Sequence, residues 1–195
     1  MTQSDRFSAA IAVFDAANQA DPKTIVIDGV TYAGEVIYAQ RMTEMLDAFL
    51  PTASEHMKLA ARSQHIERWI LPRDSYPMDR KGYLQWRADL KLHHAKKATE
   101  LMLSAGYSQE DCDRVAALLK KEKMKSDEES QALEDVVCLV FLKYYFTDFG
   151  AQHTEEKVID ILQKTWCKMS DKGHEAALAL PFSEENKAVI LKALS

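Results

Sequence analysis

Phe7, Ala10, Ile11 and Phe14 recur three and four residues apart behind Ser4 and Asp5, the spacing of one helix face, and predict a first helix reaching about Asn18. Asp21-Pro22 ends it, because proline lacks an amide hydrogen and restricts the residue before it. Residues 24–32 change character. β-Branched side chains flank Asp28-Gly29, a pattern that suits an extended loop or a small hairpin, and the loop is the expectation. Met42, Met45, Leu46 and Phe49 mark a second helix over 34–50, stopped by Pro51. Thr52 or Ser54 then caps a third, expected to reach Trp69 before Pro72. Pro72 and Pro77 bracket a stretch that cannot continue a helix, so 72–77 should be a rigid, irregular loop.

A long helix over 79–105 should end at Gly106, and Ser108 should cap a shorter one to about Lys121. After a break over 123–127 comes a helix over 128–146. Its run Val136-Val137-Cys138-Leu139-Val140-Phe141-Leu142 is apolar on every side, as a central helix requires. A buried strand is the competing reading, and the flanking helix formers weigh against it. Helices over 153–169 and 183–194 complete the set. No linker, repeat or low-complexity tract interrupts the pattern, so residues 1–195 are expected to form a single-domain, all-α helical bundle.

Composition agrees, with only six glycines and five prolines among 195 residues. A formal net charge of -5 creates no general field for phosphate backbones, so general nucleic-acid binding is not expected. The N-terminal residues are polar and no run of about 18 apolar residues follows, so neither a signal peptide nor a membrane span is expected and the cytoplasm is the expected location. Cys112, Cys138 and Cys167 never form a CxxC pair, which points to reduced, mostly buried thiols.

Chemistry enters through polar residues placed on apolar stripes. At about 100° per residue, Arg87 and His94 nearly superimpose on the long helix among Tyr83, Leu84, Leu90, Ala98, Leu101 and Met102, while His93 projects onto the polar side with Gln85, Asp89, Lys96 and Glu100. His65 aligns with Ala61, Arg62, Ile66 and Trp69, and Glu35 and Tyr38 lie beside Met42, Met45 and Phe49. Asp135 shares its face with Gln131, Cys138, Leu139, Leu142 and Phe146. A buried carboxylate or imidazole needs a partner. Convergence of Glu35, His65, His94 and Asp135 would supply a mixed nitrogen and oxygen set for a divalent metal ion, zinc, manganese or iron. The competing reading makes the histidines satisfied core residues and pairs Glu35 and Asp135 with Arg41, Arg62 or Arg87.

Around them Gln64, Arg68, Trp69, Arg73, Tyr76, Arg80, Tyr83, Trp86 and Arg87 alternate guanidinium groups with aromatics. Arginine forks bind phosphate or carboxylate bidentately and rings can stack a base, so a small phosphorylated or anionic molecule is the expected ligand. Equally, cation–π contacts and tyrosine hydrogen bonds could simply pin the loop to the bundle. His56, His153 and His174 read as surface residues, and Lys120-Lys121-Glu122-Lys123 as a solvated helix end.

Gln64-His65-Ile66, Trp69, Pro72-Arg73, Tyr76-Pro77-Met78, Gly82-Tyr83, Trp86-Arg87 and His94-Ala95 resemble the family known as domain of unknown function 4202. Ala16-Ala17-Asn18, Asp21-Pro22, Tyr38-Ala39-Gln40-Arg41-Met42, Leu133-Glu134-Asp135 and Lys164-Thr165-Trp166 are similar to further blocks of it. More distantly, the chain is similar to the HD superfamily of metal-dependent phosphohydrolases, all-helical proteins whose metal is held by a histidine, a His-Asp pair and a distant aspartate. Residues 59–66 resemble the helix carrying the pair, 94–106 the helix after it, and 131–139 the helix with the last aspartate, which falls on Asp135. The chain departs from that pattern in having no His-Asp dipeptide; Gln64-His65 stands in its place, and Tyr38 or Glu35 replaces the first histidine.

The resemblance implies an HD-domain-like bundle and a metal-dependent phosphohydrolase acting on a nucleotide or other small phosphorylated metabolite. Glu35, His65, His94 and Asp135 would be metal ligands, Asp135 and Glu134 the catalytic carboxylates, and Arg73, Arg80 and Arg87 the phosphate grip. The alternative is a non-catalytic module that binds a small anionic ligand or partner peptide through the arginine and aromatic pocket, and a purely structural or assembly role is the third reading.

Overall fold

The computed structural model describes residues 3–122 and 126–194 and is all-α apart from one hairpin. Helix α1 (Gln3–Asn18) turns Ala10, Phe14 and Asn18 inward. Strands β1 (Thr24–Ile27) and β2 (Val30–Ala33) pair antiparallel from Thr24 opposite Ala33 to Ile27 opposite Val30, so the expected loop is a hairpin instead. Asp28 and Gly29 both have positive φ, 51° and 79°, and the Asp-Gly pair accepts this tight reversal. Asp21 closes the base: its carboxylate accepts from the N–H of Lys23 and the N–H of Glu35, each at 2.9 Å. The start of α2 (Gly34–Phe49) is thereby fixed to the end of α1.

Helix α3 (Glu55–Arg62) begins at the expected cap, where Ser54 Oγ accepts from Met57 N at 3.1 Å, but stops well short of Trp69. Tertiary partners take the backbone groups that a continuing helix would use. Asn18 Oδ1 accepts from Glu67 N at 3.0 Å, His94 Nδ1 meets Ile66 O at 2.8 Å, and Glu67 adopts a left-handed φ of 49°. A single 3-10 turn follows at Arg68–Ile70, another at Arg73–Ser75 inside the irregular loop, and His65 therefore does not obey a helical phase.

Asp79 caps the long helix α4 (Arg80–Ser104), and Gly106 leaves it at φ 88°. Ser108 and Asp111 form a capping box on α5 (Gln109–Lys120). Part of the expected break, residues 123–125, lies outside the described residues. Helix α6 (Glu128–Tyr144) carries the apolar run as helix, not strand, and α7 (Phe146–Ala151) resumes after Tyr145. Then come α8 (Glu155–Trp166), the short α9 (Asp171–Leu178), which periodicity did not reveal, and α10 (Glu184–Leu194).

Helix α6 touches α2, α3, α5 and α9 and buries Leu133, Val136, Cys138, Leu139, Val140 and Leu142. They join Phe14, Met42, Leu46, Met57, Leu59, Ile66, Met102, Leu118, Leu119 and Phe146 in one hydrophobic cluster. Each large side chain buried there contributes about 1.5–3 kcal/mol. None of the described helices is long and apolar enough to cross a membrane.

Candidate functional site

Where α3 gives way to turns, the chain crosses α4 and brings His65 and His94 together, ring centroids 5.9 Å apart. His94 is buried, and because its Nδ1 faces the carbonyl of Ile66 at 2.8 Å, that nitrogen carries the proton and donates. Nε2 keeps a bare lone pair with no partner among the described residues. Burial, and then the neighbouring His65, drive the His94 pKa down to about 2, so the ring is neutral.

His65 is held differently. Its ring stacks on Tyr38 with centroids 4.0 Å apart and planes 10° from parallel. Arg68 can only donate, so His65 Nε2 is the acceptor of its 3.0 Å hydrogen bond and the proton lies on Nδ1. That Nδ1 is 3.6 Å from Glu35 Oε2, outside hydrogen-bond range. Burial and the cations Arg68, Arg87 and Lys121 hold His65 well below its ordinary pKa. Burial also raises Glu35 to about 7, against the pull of Arg68 and Lys23.

Glu35 and His94 thus each lie beside His65, whereas Asp135 has other partners. Ser170 donates its hydroxyl to Asp135 Oδ2 at 2.5 Å and its backbone N–H to Oδ1 at 2.8 Å, while Gln131 donates to Oδ1 at 3.2 Å. Glu134 is buried in an ion pair with Lys121. Two of the four expected ligands are thus engaged, His65 Nε2 by Arg68 and both Asp135 oxygens by Ser170, while Glu35 Oε2 and His94 Nε2 have no hydrogen-bond partner among the described residues. Arg68 also places a positive charge beside the remaining lone pairs. Among the described residues no three or more of His, Cys, Asp and Glu are grouped to hold a metal ion.

Cationic side chains gather on the same side. Gln64, His65, Arg68, Arg87, Lys91, His94 and Lys121 line a cleft with about 270 Å³ of empty space, part of it open to solvent. Lys121 pairs with Glu134, whereas Arg68, Arg87 and Lys91 form no ion pair with any carboxylate among the described residues. Burial and the positive neighbours Lys121 and Arg87 lower the Lys91 pKa, and burial does the same to Arg68. Gln64, itself buried, leaves its Oε1 unpartnered.

The arginine and aromatic constellation divides. Gln64, Arg68 and Arg87 reach the cleft. Arg73 instead donates to Tyr76 O at 3.1 Å and Asp79 O at 3.3 Å, Tyr76 donates its hydroxyl to Asp89 at 3.0 Å, and Trp86 Nε1 donates to Leu71 O at 2.8 Å. These three pin the 72–77 loop, as the competing reading has it. Trp69, Arg80 and Tyr83 lie outside the cleft lining, with Arg80 and Tyr83 exposed. Arg62 pairs with Asp15 through two bonds of 2.7 and 2.6 Å, and Arg41 lies over Tyr144 and Tyr145. His93, expected in solvent, is half-buried beside Glu67, and His56 binds Asp111 at 2.8 Å.

Lys91 and Lys121 were not singled out as ligand residues from the sequence. Lys91 was findable, one helical turn beyond Arg87. Lys121 was not, because its inward aim follows from the left-handed φ of 60° at the end of α5.

An all-α protein with a cation-lined cleft between α4 and the end of α5 is the class that fold and site define. The chain belongs to the family described as domain of unknown function (DUF4202), which matches residues 8–190. No curated protein and no solved structure matches it.

Proposed function

We propose that this is a cytoplasmic protein that binds a small phosphorylated metabolite or similar anion in the cleft of Arg68, Arg87, Lys91 and Lys121. The observation that carries this reading is the gathering of four cationic side chains around one concavity with a single directly paired carboxylate, Glu134. Uncompensated charges near a low-dielectric wall repel one another, and a bound dianion offsets that cost with charge-assisted hydrogen bonds. The free thiols Cys112, Cys138 and Cys167 are in keeping with a reducing compartment.

Metal-dependent phosphohydrolysis on an HD-like frame draws less support, because Arg68 uses His65 and Ser170 uses Asp135. Calorimetric titration with inorganic phosphate and pyrophosphate, with and without a chelator, tests the proposal. Binding that survives chelation and weakens by roughly 30-fold in Arg87→Ala is expected, the loss of one charged hydrogen-bonding group. Stoichiometric metal in untagged protein, or binding abolished by the chelator, would return the metal reading to first place.

A further inference from the structure

Phosphate alone does not complete the cleft. Gln64 and His94 are only 6% and 4% exposed, and both line the cavity. Gln64 Oε1 and His94 Nε2 are buried atoms without a hydrogen-bond partner among the described residues. The His94 tautomer is not free to change, since Nδ1 must donate to Ile66 O. His94 Nε2 is therefore fixed as an acceptor, Gln64 presents Oε1 beside it, and an acceptor left dry is costly. The phosphate group of a monoester dianion, like a carboxylate, brings only acceptors of its own and cannot satisfy either position.

From this we infer that the ligand is a small hydroxylated phosphate monoester, its phosphate held by Arg68, Arg87, Lys91 and Lys121 and its hydroxyls donating to Gln64 Oε1 and His94 Nε2. The inference rests on the anion-binding reading of the same cleft. A neutral hydroxyl is the donor that fits. An ammonium group would also donate, but it would enter among four cations that repel it. The enclosed part of the cleft measures only about 20 Å³, room for one hydroxyl-sized group, so the rest of the ligand would lie in the solvent-open part. Sites built to receive a hydroxyl reject the analogue without it more strongly than apolar pockets reject an extra methylene, because the buried acceptors are then left unpaired.

Glycerol 1-phosphate and propyl phosphate form a matched pair for the test: the same phosphate and carbon chain, with and without two hydroxyls. Titrated calorimetrically into the wild-type chain, glycerol phosphate should bind at least about tenfold tighter, the worth of one or more hydrogen bonds to a buried acceptor. In Gln64→Met, similar in size and without the acceptor, the ratio of the two affinities should fall toward one. Should that variant fail to fold, the wild-type ratio decides alone. Equal binding of the two probes overturns the inference and leaves the anion site standing. Tighter binding of adenosine monophosphate than of glycerol phosphate would assign the acceptors to a base and overturn it as well. Binding of neither probe, nor of inorganic phosphate, removes the anion site itself.

Discussion

Asp135 and Ser170 are joined twice, hydroxyl to one carboxylate oxygen at 2.5 Å and backbone N–H to the other at 2.8 Å. The pair fastens the first residue before α9 to the middle of α6, and Ser170 in turn caps α9 by accepting from Gly173 N at 3.1 Å. Gly173 is required by the same contact, since a Cβ there would lie 2.6 Å from Asp135 Oδ1. Asp135→Ala should therefore cost about 2–4 kcal/mol of stability, leaving a half-buried hydroxyl and N–H without their carboxylate. Gly173→Ala should destabilise through the clash. Urea denaturation checks both, and phosphate affinity in the folded fraction should persist; its loss in Asp135→Ala would show that this carboxylate serves the site directly.

Lys121 and Glu134 form a buried ion pair, their side chains 9% and 6% exposed. Lys121→Met leaves an unpaired carboxylate and should cost about 3–5 kcal/mol, whereas Lys121→Met with Glu134→Leu should recover most of it. Both proteins should bind phosphate more weakly than the wild type. A double variant as unstable as the single one would contradict the pairing.

Glu35 has its pKa raised to about 7 in the fold against an ordinary 4.5. Between these values the native state binds more protons than the unfolded chain, so this group's contribution to stability falls as pH rises through that window. Glu35→Gln should remove the slope and stabilise the protein at pH 8 by roughly 3 kcal/mol. Chemical denaturation at pH 5 and pH 8 measures it, and an unchanged difference between the two would refute the shift.

His94 acts with the opposite sign. Its folded pKa is depressed to about 2, so it costs nothing above the ordinary 6.5, and its penalty grows by about 1.4 kcal/mol per pH unit below that. His65 has the same direction. The histidines and Glu35 oppose each other between pH 4.5 and 6.5, so acid sensitivity should be steeper in Glu35→Gln than in the wild type there. His94→Gln should flatten it.

Gly82 sits against the loop that Arg73, Tyr76 and Trp86 hold in place, and a Cβ on it would come within 2.1 Å of Pro77 O. Gly82→Ala should displace residues 72–77 from α4 and expose that stretch to limited proteolysis, while Lys81→Ala, one residue away and exposed, should leave the digestion pattern intact.

The helices were legible in the chain because their signals are local. The capping residues Ser54, Asp79 and Ser108 act within a few residues of themselves, and the apolar run of α6 needs no neighbour to be recognised. Prolines 72 and 77 likewise announced a loop. The end of α3 was not legible, because Asn18 and His94 reach in from distant helices to take the amide of Glu67 and the carbonyl of Ile66. α9 was missed for a related reason: its eight residues are held at their start by Asp135, thirty-five positions before Ser170.

By itself the sequence determined an all-α chain, the order and approximate limits of its long helices, and the burial of His94 and Asp135, because periodicity and capping are written in neighbouring side chains. Tertiary structure alone decided what those polar residues meet. Asp135 finds Ser170, His65 accepts from Arg68, and Lys121 turns inward to Glu134. Helical phase says only that a side chain faces the interior. Its partner depends on how far each helix slides and where each turn bends, and those are set by the packing of the whole core.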